Sequence, residues 1–92
     1  MNEIITLRTE AGEEKVVFCG LRSITQAEFY QAYATDLKPE IKFVLADALD
    51  YDGERLIKYD DVLYRVLRTY KVGRELELVV TRASAEEVEL YG

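Results

Sequence analysis

Several residue types are scarce in this chain of 92 residues. It contains no histidine and no tryptophan, and it has one cysteine and one proline. Without histidine it lacks the usual acid–base catalyst at neutral pH, and a single cysteine cannot form an internal disulfide. The apolar run VVFCG favours a small buried side chain at Cys19 over a reactive thiolate. No nucleophile and base can be paired, so we expect a protein without enzymatic activity.

Other sites and segments are missing as well. No apolar stretch approaches the roughly 18 residues of a membrane span, and no basic, apolar leader opens the chain, so we expect a cytoplasmic protein without membrane contact. The five glycines are scattered, which gives no phosphate-binding loop and no reason to expect a cofactor. The carboxylate pairs Asp60-Asp61 and Glu86-Glu87 fall in a predicted turn and a predicted tail, where solvated carboxylates are the rule, so we expect no metal site.

The charge balance is acidic, with 18 acidic and 12 basic residues and a net charge of −6. Binding to a phosphate backbone requires a basic face that releases counterions. Nucleic acid is therefore disfavoured as a tightly held ligand.

One segment has a helical pattern. Thr25 and Glu28 fit a capping box, and four apolar residues then recur at i, i+3, i+4 and i+7, namely Tyr30, Tyr33, Ala34 and Leu37. Pro39 cannot continue a helix, and it biases the residue before it towards extended conformation. The pattern predicts an α-helix over about 25–37.

The rest of the chain is typical of short β-strands. NEIITLRT and EKVVFCGL predict a hairpin reversed near Gly12, and Asp52-Gly53 predicts a second hairpin after IKFVL. Asp60-Asp61 and Gly73 separate the last three strands, which predict an antiparallel meander. We expect a mainly β fold, a small antiparallel barrel of about six strands, because closure removes exposed edges. The barrel would span 1–83 with a helical insertion at 23–40, followed by an acidic tail at 84–92.

The predicted meander carries aromatic and basic residues that suit an interface. Tyrosine and arginine are enriched where proteins meet. The possible subunit-contact residues are Tyr64, Arg65, Arg68, Tyr70 and Lys71. The same tyrosines and arginines could instead stack and hold single-stranded nucleic acid, as on oligonucleotide-binding barrels. A third reading treats them as ordinary strand residues, half in the core and half in solvent.

Three segments occur in an order that resembles one protein family. They are VFCGLRSITQAEFYQA, LKPEIKF and YDGERLIKYDDVLYRVLRTYK. Over about residues 16–80 the chain resembles the head-closure proteins, also called head–tail adaptors, connectors or stoppers, of long-tailed bacteriophages and their prophages. The most specific matches are Ser23-x-Thr25-x-x-Glu28-Phe29-Tyr30-Gln31-Ala32, Leu37-Lys38-Pro39-Glu40 and the strand from Tyr64 to Tyr70.

The resemblance implies a non-enzymatic structural role in virion assembly. A small barrel with an inserted helix would form a ring below the portal, dodecameric in the virion and compatible with a monomer in isolation. The ring would close the DNA-filled head and present the tail attachment surface. Its partners would be copies of itself, a portal-side adaptor and a tail terminator or tail-completion protein, while DNA passes through without sequence-specific binding. It would be found in the host cytoplasm during assembly and then at the head–tail junction.

The same resemblance gives the inserted segment a role. It would line the channel or pack between subunits. The residues concerned are Thr25, Glu28, Phe29, Tyr30, Gln31, Tyr33, Leu37, Lys38, Pro39 and Glu40.

Overall fold

Six β-strands are present in the computed structural model, which describes residues 3–9, 11–26, 39–84 and 86. Their bounds are β1 Glu3–Arg8, β2 Glu14–Arg22, β3 Ile41–Leu45, β4 Leu56–Tyr59, β5 Val62–Val72 and β6 Glu75–Arg82. Each is rich in β-branched and aromatic residues, which fit a pleated, half-buried surface. A short 3₁₀ helix spans Ala48–Asp50.

The strands close into a barrel in the order β1-β2-β3-β6-β5-β4. Every neighbouring pair of strands is antiparallel. The pairing of β1 with β4 closes the barrel. An even number of strands lets the direction alternate all the way round. Closure pairs the edge that an open sheet of this size would expose. The predicted small antiparallel barrel of about six strands is confirmed.

The core lies inside the barrel and is built from alternating residues of all six strands. Leu76, Leu78 and Val80 of β6 point inward, and Phe43 and Leu45 of β3 do the same. The Phe43 ring meets two tyrosines edge-on; these are Tyr59, with ring centroids 5.1 Å apart, and Tyr64, at 6.2 Å. Such edge contacts stabilise aromatic pairs beyond simple burial.

The tight turns follow their sequence signals. Asp60 and Asp61 both have positive φ, 51° and 61°, as a two-residue type I′ hairpin turn between β4 and β5 requires. Gly12 and Gly73 also have positive φ, in the β1–β2 and β5–β6 turns. The predicted first hairpin and the meander of β4, β5 and β6 are confirmed.

The second predicted hairpin is wrong. Gly53 does take a positive φ of 88°, but β3 pairs with β2 and β6, whereas β4 pairs with β1 and β5. Residues 46–55 form a loop that crosses one end of the barrel, because β3 and β4 occupy opposite positions in the closed strand order. Tyr51 of this loop packs against the core at that end of the barrel.

The barrel has two unlike ends. At the insertion end lie Arg22, Ile41 and Arg82, between which the segment 23–40 and the chain after β6 depart. At the hairpin end lie the β1–β2 turn, the loop 46–55 and the β5–β6 turn. The predicted helix over 25–37 and the tail at 84–92 fall mostly outside the described residues; within the described ranges the 3₁₀ helix is the one helical element assigned bounds.

Candidate interaction surface

The position of Cys19 in the barrel disfavours a catalytic role for its thiol. The side chain is fully buried in the barrel core. Burial, followed by the charge of Glu3, raises the pKa of the thiol to about 11. A thiol with this pKa is protonated at neutral pH and is a poor nucleophile. The core position is the one expected from the sequence.

A small cleft at the hairpin end gathers acidic side chains. Its volume is about 240 Å³, and it is lined by Leu7, Thr9, Glu13, Glu14, Lys15, Asp52 and Glu54. Lys15 forms an ion pair with Asp52 at 3.1 Å, and the buried Glu54 accepts a hydrogen bond from the Asp52 amide. No cluster of His, Cys, Asp and Glu that could hold a metal ion exists within the described residues.

Of the predicted insertion, the described ranges include the two junctions with the barrel. Thr25 is exposed, Pro39 is buried and Glu40 is exposed. The other predicted insertion residues lie outside the described ranges; they are Glu28, Phe29, Tyr30, Gln31, Tyr33, Leu37 and Lys38.

Glu40 fixes the point where the insertion rejoins the barrel. Its amide donates to the Val80 carbonyl at 2.8 Å, which extends the β3–β6 ladder by one residue. Its carboxylate accepts from the Arg82 amide and from the Thr81 hydroxyl. Backbone and side chain thus tie the end of the inserted segment to the last strand. Extended conformation directly after Pro39, as predicted, is confirmed.

The five predicted contact residues of β5 are divided between the two faces of the barrel. A β-bulge between Val66 and Arg68 shifts the alternation along this strand. Tyr64 lies before the bulge and points into the core, where a partner cannot reach it. Arg68 and Tyr70 lie after it and face outward, with the Arg68 guanidinium 3.5 Å from the Tyr70 hydroxyl. Arg65 also faces outward.

Lys71, the fifth of these residues, is exposed near the hairpin end. With Tyr64 buried, β5 presents one of its two candidate tyrosines for stacking. This arrangement does not favour the oligonucleotide-binding alternative.

An ion-pair network crosses the outer face of β2, β3 and β6. Arg22 donates to Glu77 at 2.5 Å and to Glu75 at 3.2 Å, and Lys42 lies 3.5 Å from Glu77. Lys42 is buried although it faces away from the core, as is its outer-face neighbour Val44. The hydrogen bond to Glu77 raises the pKa of Arg22. The charges of this region are therefore paired with one another, and Lys42 and Val44 are shielded from solvent, whereas Arg22 stays half-exposed.

The outer face of β1 and β2 instead carries exposed apolar side chains. Phe18 is 68 % exposed, Val16 65 % and Ile4 54 %. Ile4 lies directly opposite Phe18 in the ladder, and Val16 lies opposite Thr6. We call Ile4, Val16 and Phe18 the β1–β2 strip. Together they expose on the order of 300 Å², the size at which an apolar patch is often functional.

A second exposed apolar surface lies across the barrel. Leu49, on the 3₁₀ helix, is 84 % exposed, and Val72, at the end of β5, is 53 % exposed. The Ala48 amide donates to the Arg74 carbonyl at 2.7 Å, which holds the 3₁₀ helix beside the β5–β6 turn. We call Leu49 and Val72 the Leu49 surface. In the strand order, β5 and β6 lie opposite β1 and β2.

The sequence gives little sign of either surface. In VVFCG every residue before the glycine is apolar, so alternation cannot tell which side chains point inward. Register with β1 decides that Val17 and Cys19 are inside and that Val16 and Phe18 are outside. Leu49, between Ala48 and Asp50 in a polar loop, is the one signal that sequence reasoning could have used.

Comparison of the chain with protein-family models, with curated proteins and with solved structures finds no match. Among the described residues, no helix is long and apolar enough to cross a membrane.

Proposed function

We propose that this chain is a non-enzymatic structural subunit of a bacteriophage head–tail connector. In this proposal it forms a ring below the portal, closes the DNA-filled head and provides the surface to which the tail attaches. The observation that carries the proposal is the β1–β2 strip, three large apolar side chains held in solvent by the ladder. An exposed apolar patch of this size is often functional, and burial against a neighbouring subunit would remove it from water.

The closed sheet determines how such a subunit can associate. Within the described residues every strand of the barrel has a neighbour on both sides, although β2 and β5 are each paired on one side only over part of their length. Closure thus leaves little edge for a partner strand, and outward-facing side chains and loops are the main surfaces available for recognition. The unlike ends of the barrel suit a component placed between two different neighbours, a portal-side adaptor and a tail terminator or tail-completion protein.

The sequence resemblance and the position of the inserted segment support the same assignment. The resemblance implies a barrel with an insertion that lines a channel or packs between subunits. In the structure, segment 23–40 departs from β2 and rejoins at β3, and Glu40 anchors its return. The chain after Arg82 leaves from the same end, so that both non-barrel segments start beside each other.

The charge of the chain suits a ring through which DNA slides. The net charge is −6, and several basic side chains of the barrel are engaged in ion pairs; Arg22, Lys42 and Arg82 are examples. A wall of net negative charge repels a phosphate backbone. The proposed ring would therefore contact passing DNA without binding it in a sequence-specific way.

The test is electron microscopy of particles produced by a phage or prophage from which this gene has been deleted. We expect heads that have lost their DNA together with free tails of full length, and joined particles when the wild-type gene is supplied in trans. Normal joined particles from the deletion would overturn the proposal. Titration with labelled single strands at low salt would then test the oligonucleotide-binding alternative, because such binding weakens steeply as salt rises.

A further inference from the structure

We infer that the β1–β2 strip binds the Leu49 surface of a second copy of this chain, in a head-to-tail contact. The inference rests on the proposed ring, since it names the two surfaces through which neighbouring subunits would meet. It goes beyond that proposal by placing the contact on β1, β2 and the loop 46–55, next to the β5–β6 turn.

The two surfaces lie on opposite sides of the barrel. The strip lies on β1 and β2, and the Leu49 surface lies beside the β5–β6 turn, on the far side in the strand order. Two different surfaces on opposite sides of one body cannot make the self-matching contact of a two-fold dimer. They make a heterologous contact, which repeats from copy to copy and closes into a ring where the rotation allows.

The two surfaces differ in form. The strip lies on the paired β1–β2 ladder, with Phe18 directly opposite Ile4. Leu49 protrudes on a short 3₁₀ helix, whose start is fixed by the Asp47 carboxylate accepting from the Leu49 amide at 2.9 Å. Docking the exposed leucine on the phenylalanine, isoleucine and valine of the strip would bury apolar surface on both partners.

One exposed charge beside each surface gives a complementary pair. Lys58 of β4 is exposed and pairs in register with Thr6, the residue that separates it from Val16 of the strip. Asp50 is exposed and follows Leu49 on the same 3₁₀ helix. Docking Leu49 on the strip would bring an acid towards a lysine at the rim, which favours this occupant and orients it.

The area involved predicts a weak single contact. Stable pairs bury about 800 Å² on each partner, and the strip supplies on the order of 300 Å² of apolar surface. A subunit inside a ring makes two such contacts, one through each surface, so that closure strengthens an assembly that a single pair could not hold. The isolated chain is then a monomer that associates at high concentration.

Two charge-bearing variants test the pairing. Phe18→Glu removes the strip and keeps the Leu49 surface, whereas Leu49→Glu does the reverse. We expect each variant alone to self-associate about tenfold more weakly than wild type in sedimentation velocity. An equal mixture should form pairs and nothing larger, because one intact strip then meets one intact Leu49 surface. Leu21→Glu is the matched control: Leu21 is 47 % exposed and belongs to neither surface.

Cross-linking extends the test to association too weak to sediment. Thr6→Cys and Asp50→Cys border the contact and leave Phe18 and Leu49 in place; together, treated with a short bis-maleimide, they should give a ladder of oligomers, and each single variant should give none. Cys19 does not interfere, because it is buried and its pKa is raised. Circular dichroism and urea unfolding check that every variant folds.

Three results would overturn the inference. They are the absence of a ladder at any concentration, a covalent dimer from Thr6→Cys alone, or a mixture of the two glutamate variants that fails to pair. These outcomes are separate from the proposed function. Joined particles from the gene deletion would refute the connector role while the ladder persisted. A missing ladder with DNA-less heads would leave the connector role standing and refute this contact.

Discussion

Replacing the phenylalanine at the centre of the barrel should remove much of its stability. Phe43 is 0 % exposed and meets Tyr59 and Tyr64 edge-on. Phe43→Ala withdraws roughly 120 Å² of apolar surface from the interior, or about 3 kcal/mol at 25 cal/mol per Å². The cavity and the lost aromatic contacts bring the expected loss to about 3–5 kcal/mol. A 92-residue domain has a total of about 5–14 kcal/mol.

Urea unfolding followed by circular dichroism measures this loss, and the chain supplies its own control. Phe18→Ala is the same chemical change on a side chain that is 68 % exposed, so it should alter the free energy of unfolding by at most about 0.5 kcal/mol. If Phe43→Ala leaves too little folded protein to measure, Phe43→Leu should still fold, with a loss of about 1–2 kcal/mol. Equal losses for the two alanine variants would refute the inward and outward assignment of these strands.

Three further predictions concern ionisation, a hydrogen bond and a turn. Folding raises the pKa of Cys19 from 9.0 to about 11, so the protonated thiol stabilises the fold fully below about pH 9 and this contribution disappears as pH rises through about 11. The urea midpoint should therefore fall more steeply over this range in wild type than in Cys19→Ala. Parallel curves would contradict the burial of the Cys19 thiol. Tyr59→Phe removes a hydrogen bond donated to Glu3 at 2.9 Å and should cost about 1 kcal/mol of unfolding free energy, with Tyr70→Phe, whose hydroxyl has a long 3.5 Å contact, as the weaker comparison. Gly53→Ala should cost about 1 kcal/mol, because φ is +88° while no atom lies within 4 Å of the added methyl group; unchanged thermal stability would show that the loop rearranges freely.

Much of the barrel could be predicted from sequence because the relevant physics is local. A turn that needs positive φ selects glycine or aspartate, and Gly12, Asp60-Asp61 and Gly73 mark three of the reversals. Alternating leucine and glutamate in β6 fixes which face is buried without reference to any other strand. Asp52-Gly53 has the same local signal, and Gly53 has the expected backbone conformation. The hairpin predicted there does not form, because strand pairing is not a local property.

The candidate surface depends on features that local pattern does not contain. One extra residue near Leu67 forms the bulge that sends Tyr64 inward and Tyr70 outward. A strict alternation would have put both tyrosines on one face. In β2, a run of apolar residues is compatible with either face until register with β1 is fixed. The exposed strip and the buried tyrosine are consequences of that register.

By itself, therefore, the sequence of this protein determined its mainly β character, three of its turns and the inward faces of the strands that alternate. Closure of β1 on β4, the pairing of β3 with β6 and the position of the bulge were decided only in the folded barrel. Local backbone preferences and alternation act over two to four residues. Closure satisfies backbone hydrogen bonds between strands that are distant in sequence, and it thereby decided which apolar side chains, Phe18 and Leu49 among them, remain in solvent to meet a partner.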